Sequence, residues 1–545
     1  MKPRILVLTV ALLCLLAVPS AALADNEPGG KIDPSVVTVL EATGGNVAIP
    51  VMVNAPGALD QVSATIPRGV DVTVLPLVDS VAAFLTPGEI RTLGDASFVT
   101  TIVADNPVHG FDYQSTMDVT NLTIGLGDVP AAADGSRPSG DGVTVAVLDS
   151  GVATNTDLAD SRIVGWKDFV NDRHEPYDDA GHGTFVAGLI AGDGTASLPL
   201  ENGGSATVQF RGVAPAANIV GIKVLDEVGQ GRTSTMIAGI TWAIAHKSDY
   251  NIRVLNISIG GNPVSSFTRD PVDQAVEAAW RNGITVVCAA GNEGDFGSGG
   301  ILSPGNDPFV ITVGATDTRQ SADVSDDAVA SYSSVGPTLF DEVAKPDLVA
   351  PGNHIVSLRA FGSYIDTNFS TNQVPVANFA PMAPADTVTS YLTLSGTSAS
   401  TPLVAGAAAL IIGADPNLTP NDVKVRLMGT ADPVAGAAAN QQGAGTLDMS
   451  GALAATTHAS GPALSAFLGD GKKFFSNGDY NKWEKRSWEK YGWVKYKWAK
   501  YKWAAFNGAK YKWADIAWTK YKWAKYKWAE FDWAKYKWAT LLQGQ

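Results

Sequence analysis

Strand-like and helix-like runs alternate along the middle of this chain. Apolar runs of strand length occupy residues 143–148, 219–225, 254–259 and 285–290, and helix-like stretches lie between and after them. Strands that alternate with helices at this spacing predict an α/β fold with a doubly wound parallel sheet. On such a sheet, functional sites form at the carboxyl ends of the strands. The alternation leaves few other folds open.

Three short polar segments carry Asp149, His182 and Ser398 in that chain order. Asp149 ends the apolar run 143–148, while glycine-containing turns before His182 and Ser398 open helix-like stretches. Nucleophilic catalysis by serine needs a base within hydrogen-bond reach and a buried carboxylate that orients this base. We therefore expect the three groups to meet at one sheet edge, where His182 takes the proton of Ser398 and Asp149 orients His182.

The motifs Asp149-Ser-Gly, His182-Gly-Thr and Gly396-Thr-Ser398 resemble, in this order, the signature blocks of the subtilisin-like serine proteases, the subtilases. The resemblance covers roughly residues 125 to 456. It implies a serine endopeptidase that hydrolyses peptide bonds through an acyl-enzyme. It also implies that Asn292, in Ala-Ala-Gly-Asn292, belongs to the oxyanion hole.

The same resemblance implies where a polypeptide substrate binds. Two segments would wall the primary specificity pocket and one leucine would form its floor, which favours small or medium apolar side chains. The residues concerned are Ser258, Ile259, Gly260, Ala289, Ala290, Gly291 and Leu302. Residues 228–231 would pair with an extended substrate as an added strand.

The resemblance implies calcium as a bound structural ion. The chemistry itself requires no cofactor. Asp157 aligns with a calcium-ligand position of the family, and carboxylate oxygens suit this hard cation. The remainder of such a site is not recognisable in the sequence. A structural calcium at Asp157 is therefore an expectation to be tested.

Residues 1–24 have a basic start, a short apolar run and a small-residue end. This pattern predicts a cleaved signal peptide. A membrane anchor fits less well, because the apolar run is shorter than the roughly 20 residues that a spanning helix needs. No later segment is long enough either. The sequence thus predicts a secreted, extracellular or cell-surface protein without a transmembrane segment in its mature form.

A small α+β unit is predicted for residues 25–115. Its strand-like runs are 62–66, 70–74 and 98–103, and a helical stretch covers 86–93. By resemblance it is an inhibitory and folding-assisting prodomain that is later cut away, and the alternative is a permanent accessory domain. The catalytic domain then covers 116–456, and a linker covers 457–479.

The last segment, 480–545, is a tail built on a five-residue repeat, with Lys495-Tyr-Lys-Trp-Ala499 as the clearest unit. Eleven of the 14 tryptophans of the chain lie in it. Period five gives no single apolar face on an α-helix, because each tryptophan would step about 140° from the last. Short stacked strands, or disorder until a partner is met, remain the alternatives.

Charge separates this tail from the rest of the chain. The tail holds 16 Lys and Arg against 5 Asp and Glu, whereas the whole chain has a net charge of −15. Aromatic rings interleaved with lysines stack on sugars or bases and attract anionic polymers. The favoured partner is a cell-envelope polysaccharide or another anionic polymer, ahead of nucleic acid, a membrane surface and the chain's own acidic body. An adhesive or scaffold protein with a vestigial protease domain is the alternative function.

Overall fold

The computed structural model describes residues 31–33, 36, 47–105, 107–110, 123–126, 138–197, 209–294, 297–376, 379 and 387–468. The predicted signal peptide 1–24 and the repeat tail 480–545 lie outside these residues.

The apolar runs of the central region form an eight-stranded sheet. The eight strands are β6 Thr144–Asp149, β7 Ile163–Asp168, β8 Asn218–Lys223, β10 Ile252–Ile257, β12 Thr285–Ala289, β13 Ile311–Asp317, β14 Ala328–Val329 and β15 Leu348–Pro351. Seven of them follow the order β14-β13-β12-β10-β6-β8-β7, and β15 pairs with β13 beside this path. All neighbouring strands are parallel except β14, which is antiparallel to β13. The predicted doubly wound α/β sheet is confirmed.

Helices cover this sheet and connect its strands. In chain order they are α3 His182–Ala191, α4 Thr233–Ala245, α5 Lys247–Tyr250, α6 Pro271–Arg281, α7 Tyr364–Asn368, α8 Thr397–Ala414, α9 Pro420–Thr430, α10 Ala439–Gln442 and α11 Met449–Ala454. The hairpin β16 Ile355–Leu358 and β17 Tyr391–Leu394 completes this region. Helix α8 packs against β10, β12 and β13, and it also contacts α3.

Helix α8 is apolar on all sides because it is enclosed by the fold. Among the described residues it is the one helix long and apolar enough to cross a membrane, and 89% of it is buried inside the protein. That burial is typical of a core helix.

The N-terminal unit consists of four strands and two helices: β1 Ile49–Asn54, α1 Leu59–Thr65, β2 Val72–Leu75, β3 Ser80–Leu85, α2 Pro87–Asp95 and β4 Thr101–Ala104. Its strands form an antiparallel sheet of order β2-β3-β1-β4. It has its own apolar core, which includes Val51, Val62 and Leu85. The strand predicted at 62–66 was wrong, because most of this run belongs to α1 and only Val62 of that helix is buried.

The N-terminal unit lies against the central region. Strand β2 contacts α4. Asp105 accepts hydrogen bonds at the start of α4, from the backbone N–H of Ser234 at 2.8 Å and from its hydroxyl group. Beyond Asp105, strand β5 Pro107–Gly110 lies between β9 Gln230–Arg232 and β11 Ile259–Gly260 in a three-stranded antiparallel sheet.

The predicted linker 457–479 begins within the folded body. Ser465, Ala466 and Phe467 are buried, and Ala344 N–H donates to the Ala466 carbonyl at 2.7 Å. Ser465 also donates to the buried carboxylate of Asp347 at 2.6 Å. Residues up to 468 therefore belong to the body that was expected to end at 456.

Candidate active site

Asp149 and His182 form a buried pair at the sheet edge. Asp149 is the last residue of β6, and His182 is the first residue of α3. His182 Nδ1 donates to Asp149 Oδ1 at 2.7 Å, and the two side chains are 2% and 0% exposed. The backbone N–H of Ser150 donates to the same oxygen at 2.7 Å. The carboxylate thus fixes the imidazole ring with its Nδ1 protonated.

A second carboxylate, Asp178, fixes the start of α3. Its Oδ1 accepts from the Ser150 hydroxyl at 2.9 Å and from Gly181 N–H at 2.7 Å. Its Oδ2 accepts from the N–H and the hydroxyl of Thr184, each at 2.8 Å. Burial raises the pKa of Asp178, and these hydrogen bonds oppose that rise. Asp178 is therefore a positioning residue that ties the strand end at Ser150 to the helix that carries His182.

A glycine lets the two segments approach this closely. A Cβ atom at Gly183 would lie 2.0 Å from the carbonyl oxygen of Gly151. No other residue fits there without moving the backbone of one segment.

We expect Asp178→Asn to shift the pH dependence of hydrolysis toward acid. Burial opposes the charged form of His182, but the charge and hydrogen bond of Asp149 and the charge of Asp178 leave its pKa raised. A general base acts only when neutral, so kcat/KM rises as the pH passes through this pKa. Removing the charge of Asp178 lowers the pKa of His182, and the acid limb of the profile moves to lower pH. An unchanged limb, or a shift to higher pH, would contradict this role.

Ser398 lies at the N-terminus of the long helix α8. Its hydroxyl donates to the carbonyl oxygen of Ser258 at 2.9 Å, and the Ser258 hydroxyl donates to the Ser398 carbonyl at 3.1 Å. Ser258 directly follows β10, which is the parallel neighbour of β6. Because parallel neighbours end at the same edge, Ser398 lies on the edge that carries Asp149 and His182. A rotation about χ1 takes its hydroxyl away from Ser258.

Asn292 is held in one orientation beside the serine. Its Oδ1 accepts from the backbone N–H of Thr397 at 2.9 Å and from the Thr397 hydroxyl at 3.0 Å. Thr397 Oγ1 in turn accepts from Gly291 N–H at 3.1 Å. With two donors on Oδ1, the amide nitrogen Nδ2 becomes the group available to an incoming oxyanion. Thr397 is therefore a positioning residue for Asn292.

We expect Asn292→Ala to lower kcat by about 10²–10³, because one oxyanion donor is lost. Thr397→Val keeps the shape of the side chain but removes one of the two hydrogen bonds that orient the amide, so a smaller fall of about tenfold in kcat is expected. KM should change little in both variants, since the interaction forms in the transition state. A rise in KM at constant kcat would assign Asn292 to ground-state binding instead.

Three of the residues predicted to form the specificity pocket, Ala289, Ala290 and Gly291, lie against Leu302. Leu302 packs against Ala289, and its backbone N–H donates to the Ala290 carbonyl at 3.0 Å. Gly291 has φ +106°, and a Cβ atom there would lie 2.7 Å from Leu302 Cγ. Ser258, Ile259 and Gly260 follow at the end of the neighbouring strand.

An extended segment of the chain, β5, lies beside these residues in the cleft between β9 and β11. In β5, Gly110 pairs with Ile259, and His109 pairs with both Gly260 and Gln230. Strands β9 and β11 therefore accept one extended chain between them. Residue Gly231, within the predicted substrate-pairing segment 228–231, pairs with Val108.

Lys223 is a buried residue beside the site that sequence reasoning missed. It is fully buried at the end of β8, and its Nζ donates to the Ser150 carbonyl at 2.6 Å and to Asp179 Oδ1 at 2.6 Å. It also donates to the Leu225 carbonyl at 2.8 Å. The ammonium group thereby supports the loop that follows Asp149. A lysine inside the apolar run 219–225 was the available signal.

The surroundings of Asp157 do not fit a calcium ion. Its Oδ1 accepts from Ala196 N–H at 2.5 Å, and its Oδ2 accepts from the Tyr391 hydroxyl at 2.5 Å. Both oxygens therefore face donors, whereas a cation needs further oxygen acceptors around it. Tyr391 is fully buried and packs edge-on against Phe210 and Phe379. The calcium expected at Asp157 would have to displace this packed tyrosine.

The arrangement can carry out acyl transfer. A carboxylate orients an imidazole, a serine hydroxyl lies at the same edge on a helix N-terminus, and an amide donor is fixed beside it. The helix N-terminus adds a positive partial charge where an oxyanion would develop.

Comparison with known proteins assigns a family to this arrangement. The model of the Subtilase family matches residues 140–447. Serine protease AprX from Bacillus subtilis (strain 168) is 42% identical over 320 residues, which are 58% of this chain and 67% of AprX. Subtilisin NAT from Bacillus subtilis subsp. natto is 34% identical over 357 residues, which are 65% of this chain and 76% of that protein.

A solved structure shares the fold. The crystal structure of fervidolysin from Fervidobacterium pennivorans, a keratinolytic enzyme related to subtilisin, superposes with a TM-score of 0.56 at 22% identity. The match covers 75% of this chain and 61% of the fervidolysin chain. At this identity the likeness concerns the fold alone.

Proposed function

This chain belongs to the subtilase family and is a serine endopeptidase, and from that premise we propose that Asp149, His182 and Ser398 are its catalytic triad. The observation that supports this assignment best is the buried 2.7 Å bond between His182 and Asp149, at the edge where Ser398 lies in the first turn of α8.

In the proposed mechanism, Ser398 Oγ attacks the carbonyl carbon of a peptide bond while His182 Nε2 takes the hydroxyl proton. The oxyanion accepts from Asn292 Nδ2 and from the backbone N–H of Ser398. His182 then gives its proton to the departing amine, and the C–N bond breaks to leave an acyl-enzyme. Water adds in the same way, with His182 as base and then as acid, and releases the carboxylic acid.

For the N-terminal unit we propose the role of an inhibitory prodomain. Strand β5 lies between β9 and β11 and pairs with both of them, in the manner of an extended substrate. Asp105, two residues before β5, anchors this segment at the start of α4. A separate polypeptide cannot pair with those strands while β5 is there. Cleavage after this unit is the step that would open the cleft.

Secretion is proposed from the pattern of residues 1–24, which is typical of a signal peptide. Retention at a cell surface is proposed for the tail 480–545, whose lysines and aromatic rings suit an anionic polymer or a cell-envelope polysaccharide. Deleting 480–545 should abolish cosedimentation with isolated cell envelopes at low salt and leave casein hydrolysis intact. Equal cosedimentation without the tail would end this proposal.

The test of the enzymatic proposal compares the parent chain with Ser398→Ala. The parent should hydrolyse casein and release the N-terminal unit, which a denaturing gel follows as loss of mass. Ser398→Ala should do neither and should persist at full length. Hydrolysis by the variant would exclude Ser398 as nucleophile, and inactivity of both proteins would favour the scaffold alternative.

A further inference from the structure

Asp317 ends β13, and the loop that leads from it to β14 carries Asp323, Asp326 and Asp327. Asp327 is only 5% exposed. Both of its carboxylate oxygens are buried and have no hydrogen-bond partner, and Oδ1 of Asp326 is in the same situation. Asp327 is the only carboxylate of the described residues for which this holds at both oxygens.

The charge of Asp327 is not compensated by its neighbours. Burial and the negative charges of Asp326, Asp317 and Asp323 raise the pKa of Asp327 to about 7, and the opposing effect of Arg319 is the smallest of these influences. Burial without hydrogen-bond donors strongly disfavours the ionised form of a carboxyl group. A bound cation would favour the ionised form.

Other buried carboxylates of this protein are provided with donors. Asp178 accepts four hydrogen bonds, and Asp347 accepts from Lys345, Thr312 and Ser465. Even Asp157, the expected calcium ligand, faces a tyrosine hydroxyl and a backbone N–H. Asp327 has no such donor at either oxygen. This difference points to a ligand that supplies positive charge.

We propose that Asp327 and Asp326 bind a calcium ion at the carboxyl end of β13. Asp327 offers two oxygens and Asp326 offers one, and calcium takes six to eight oxygen ligands in flexible geometry. Thr316, whose hydroxyl is also buried and unpartnered, pairs with Val329 two residues beyond Asp327. The ion would need further oxygen ligands, and loop carbonyl groups and water are of the chemical type that calcium takes.

This site differs from one built on a cluster of protein side chains. Among the described residues, no three His, Cys, Asp or Glu side chains come together as a ready metal-binding group. The proposed binding therefore rests on two adjacent carboxylates together with neutral oxygen ligands. Such a ligand set is common for calcium and binds zinc poorly.

The position connects the proposed ion to the serine loop. The Thr316 carbonyl accepts from Gly352 N–H at 2.9 Å, and the Gly352 carbonyl accepts from Gly396 N–H at 2.8 Å. Gly396 lies two residues before Ser398. An ion that fixes the end of β13 therefore also steadies the backbone that leads to the nucleophile.

The test uses the full chain with Ser398→Ala, which prevents self-digestion, and adds Asp327→Asn or Asp157→Asn in that background. Calcium binding is measured by equilibrium dialysis with calcium chloride, and the thermal midpoint is recorded in calcium and in EGTA. We expect calcium to raise the midpoint of the parent and of Asp157→Asn. Asp327→Asn should lose this response and bind calcium at least about tenfold more weakly.

Should Asp327→Asn fail to fold, Asp326→Asn provides the second variant, with a weaker calcium response expected. Calcium binding by Asp327→Asn with the affinity of the parent would overturn the proposal. So would a parent chain that binds no calcium, or a response that disappears in Asp157→Asn and persists in Asp327→Asn. Because all readouts are binding and unfolding, the result does not depend on the assignment of the triad.

Discussion

Asp149→Asn is expected to lower kcat by about four orders of magnitude and to leave KM nearly unchanged. Asp149 Oδ1 accepts from His182 Nδ1 at 2.7 Å. An asparagine presents either its amide N–H group or a neutral oxygen to this nitrogen. The imidazole then turns or changes its tautomer, and Nε2 no longer accepts the proton of Ser398. The charge that would stabilise the imidazolium is lost as well.

Steady-state hydrolysis of a peptide substrate measures this effect. Asp172→Asn is the matched control, because Asp172 is 80% exposed and pairs only with Lys167 at the surface. Its kcat should stay within a factor of two of the parent. A fall of less than about tenfold in Asp149→Asn would mean that His182 does not depend on this carboxylate.

Asp347→Asn is expected to lower the free energy of unfolding by about 3–5 kcal/mol. Asp347 is fully buried between two fully buried lysines, with Lys345 Nζ at 2.7 Å and Lys424 Nζ at 3.4 Å. The substitution leaves these two ammonium groups without their counter-charge. It also replaces one carboxylate oxygen by an amide N–H group, which cannot accept hydrogen bonds. Donors that use the carboxylate in the parent, such as the hydroxyl of Ser465, lose this acceptor.

Lys424 makes the expected loss large. Its Nζ donates to the carbonyl groups of Pro308 and Val310 at 3.0 and 2.8 Å and to Ser465 Oγ at 2.9 Å. Burial lowers the pKa of Lys424 to about 7, against the charge of Asp347. Without Asp347 the protonated form of Lys424 is disfavoured further in the folded state, and either its deprotonation or its uncompensated charge costs folding free energy. The contact that holds residues 463–467 to the body weakens as well.

Urea unfolding followed by circular dichroism in the Ser398→Ala background gives the value. Asp172→Asn again serves as control, because an exposed Lys–Asp pair contributes at most about 1 kcal/mol. Equal losses in the two variants would show that the buried network adds nothing beyond a surface pair.

Much of the central region could be predicted from its sequence because its signals are local. An apolar run that ends in Asp149 reads as a buried parallel strand, and the glycine turns before His182 and Ser398 mark helix starts. These patterns place all three groups on one edge without further knowledge. The signal for the helix predicted at 86–93 was equally local, because Thr86 and Glu89 form a capping box at its start.

The remainder depends on partners that are distant in the chain. The run 62–66 alternates apolar and polar residues as strands do, yet residues 62–65 are helical, and Val62 is the one fully buried residue of α1. Lys424 gave no sequence signal of its role, because its partners Pro308, Val310 and Asp347 lie far away in the chain. The hydrogen bonds from Thr397 to Asn292 join residues 105 positions apart. The extension of the body to residue 468 likewise rests on Ser465 meeting Asp347.

Labelling with a serine-directed fluorophosphonate, followed by peptide mapping in a mass spectrometer, tests the central assignment most directly. The probe forms a stable adduct only with an activated serine. We expect one adduct, on Ser398, in the parent after release of the N-terminal unit, and none in His182→Ala. An adduct on another serine, or undiminished labelling of Ser398 in His182→Ala, would contradict this assignment.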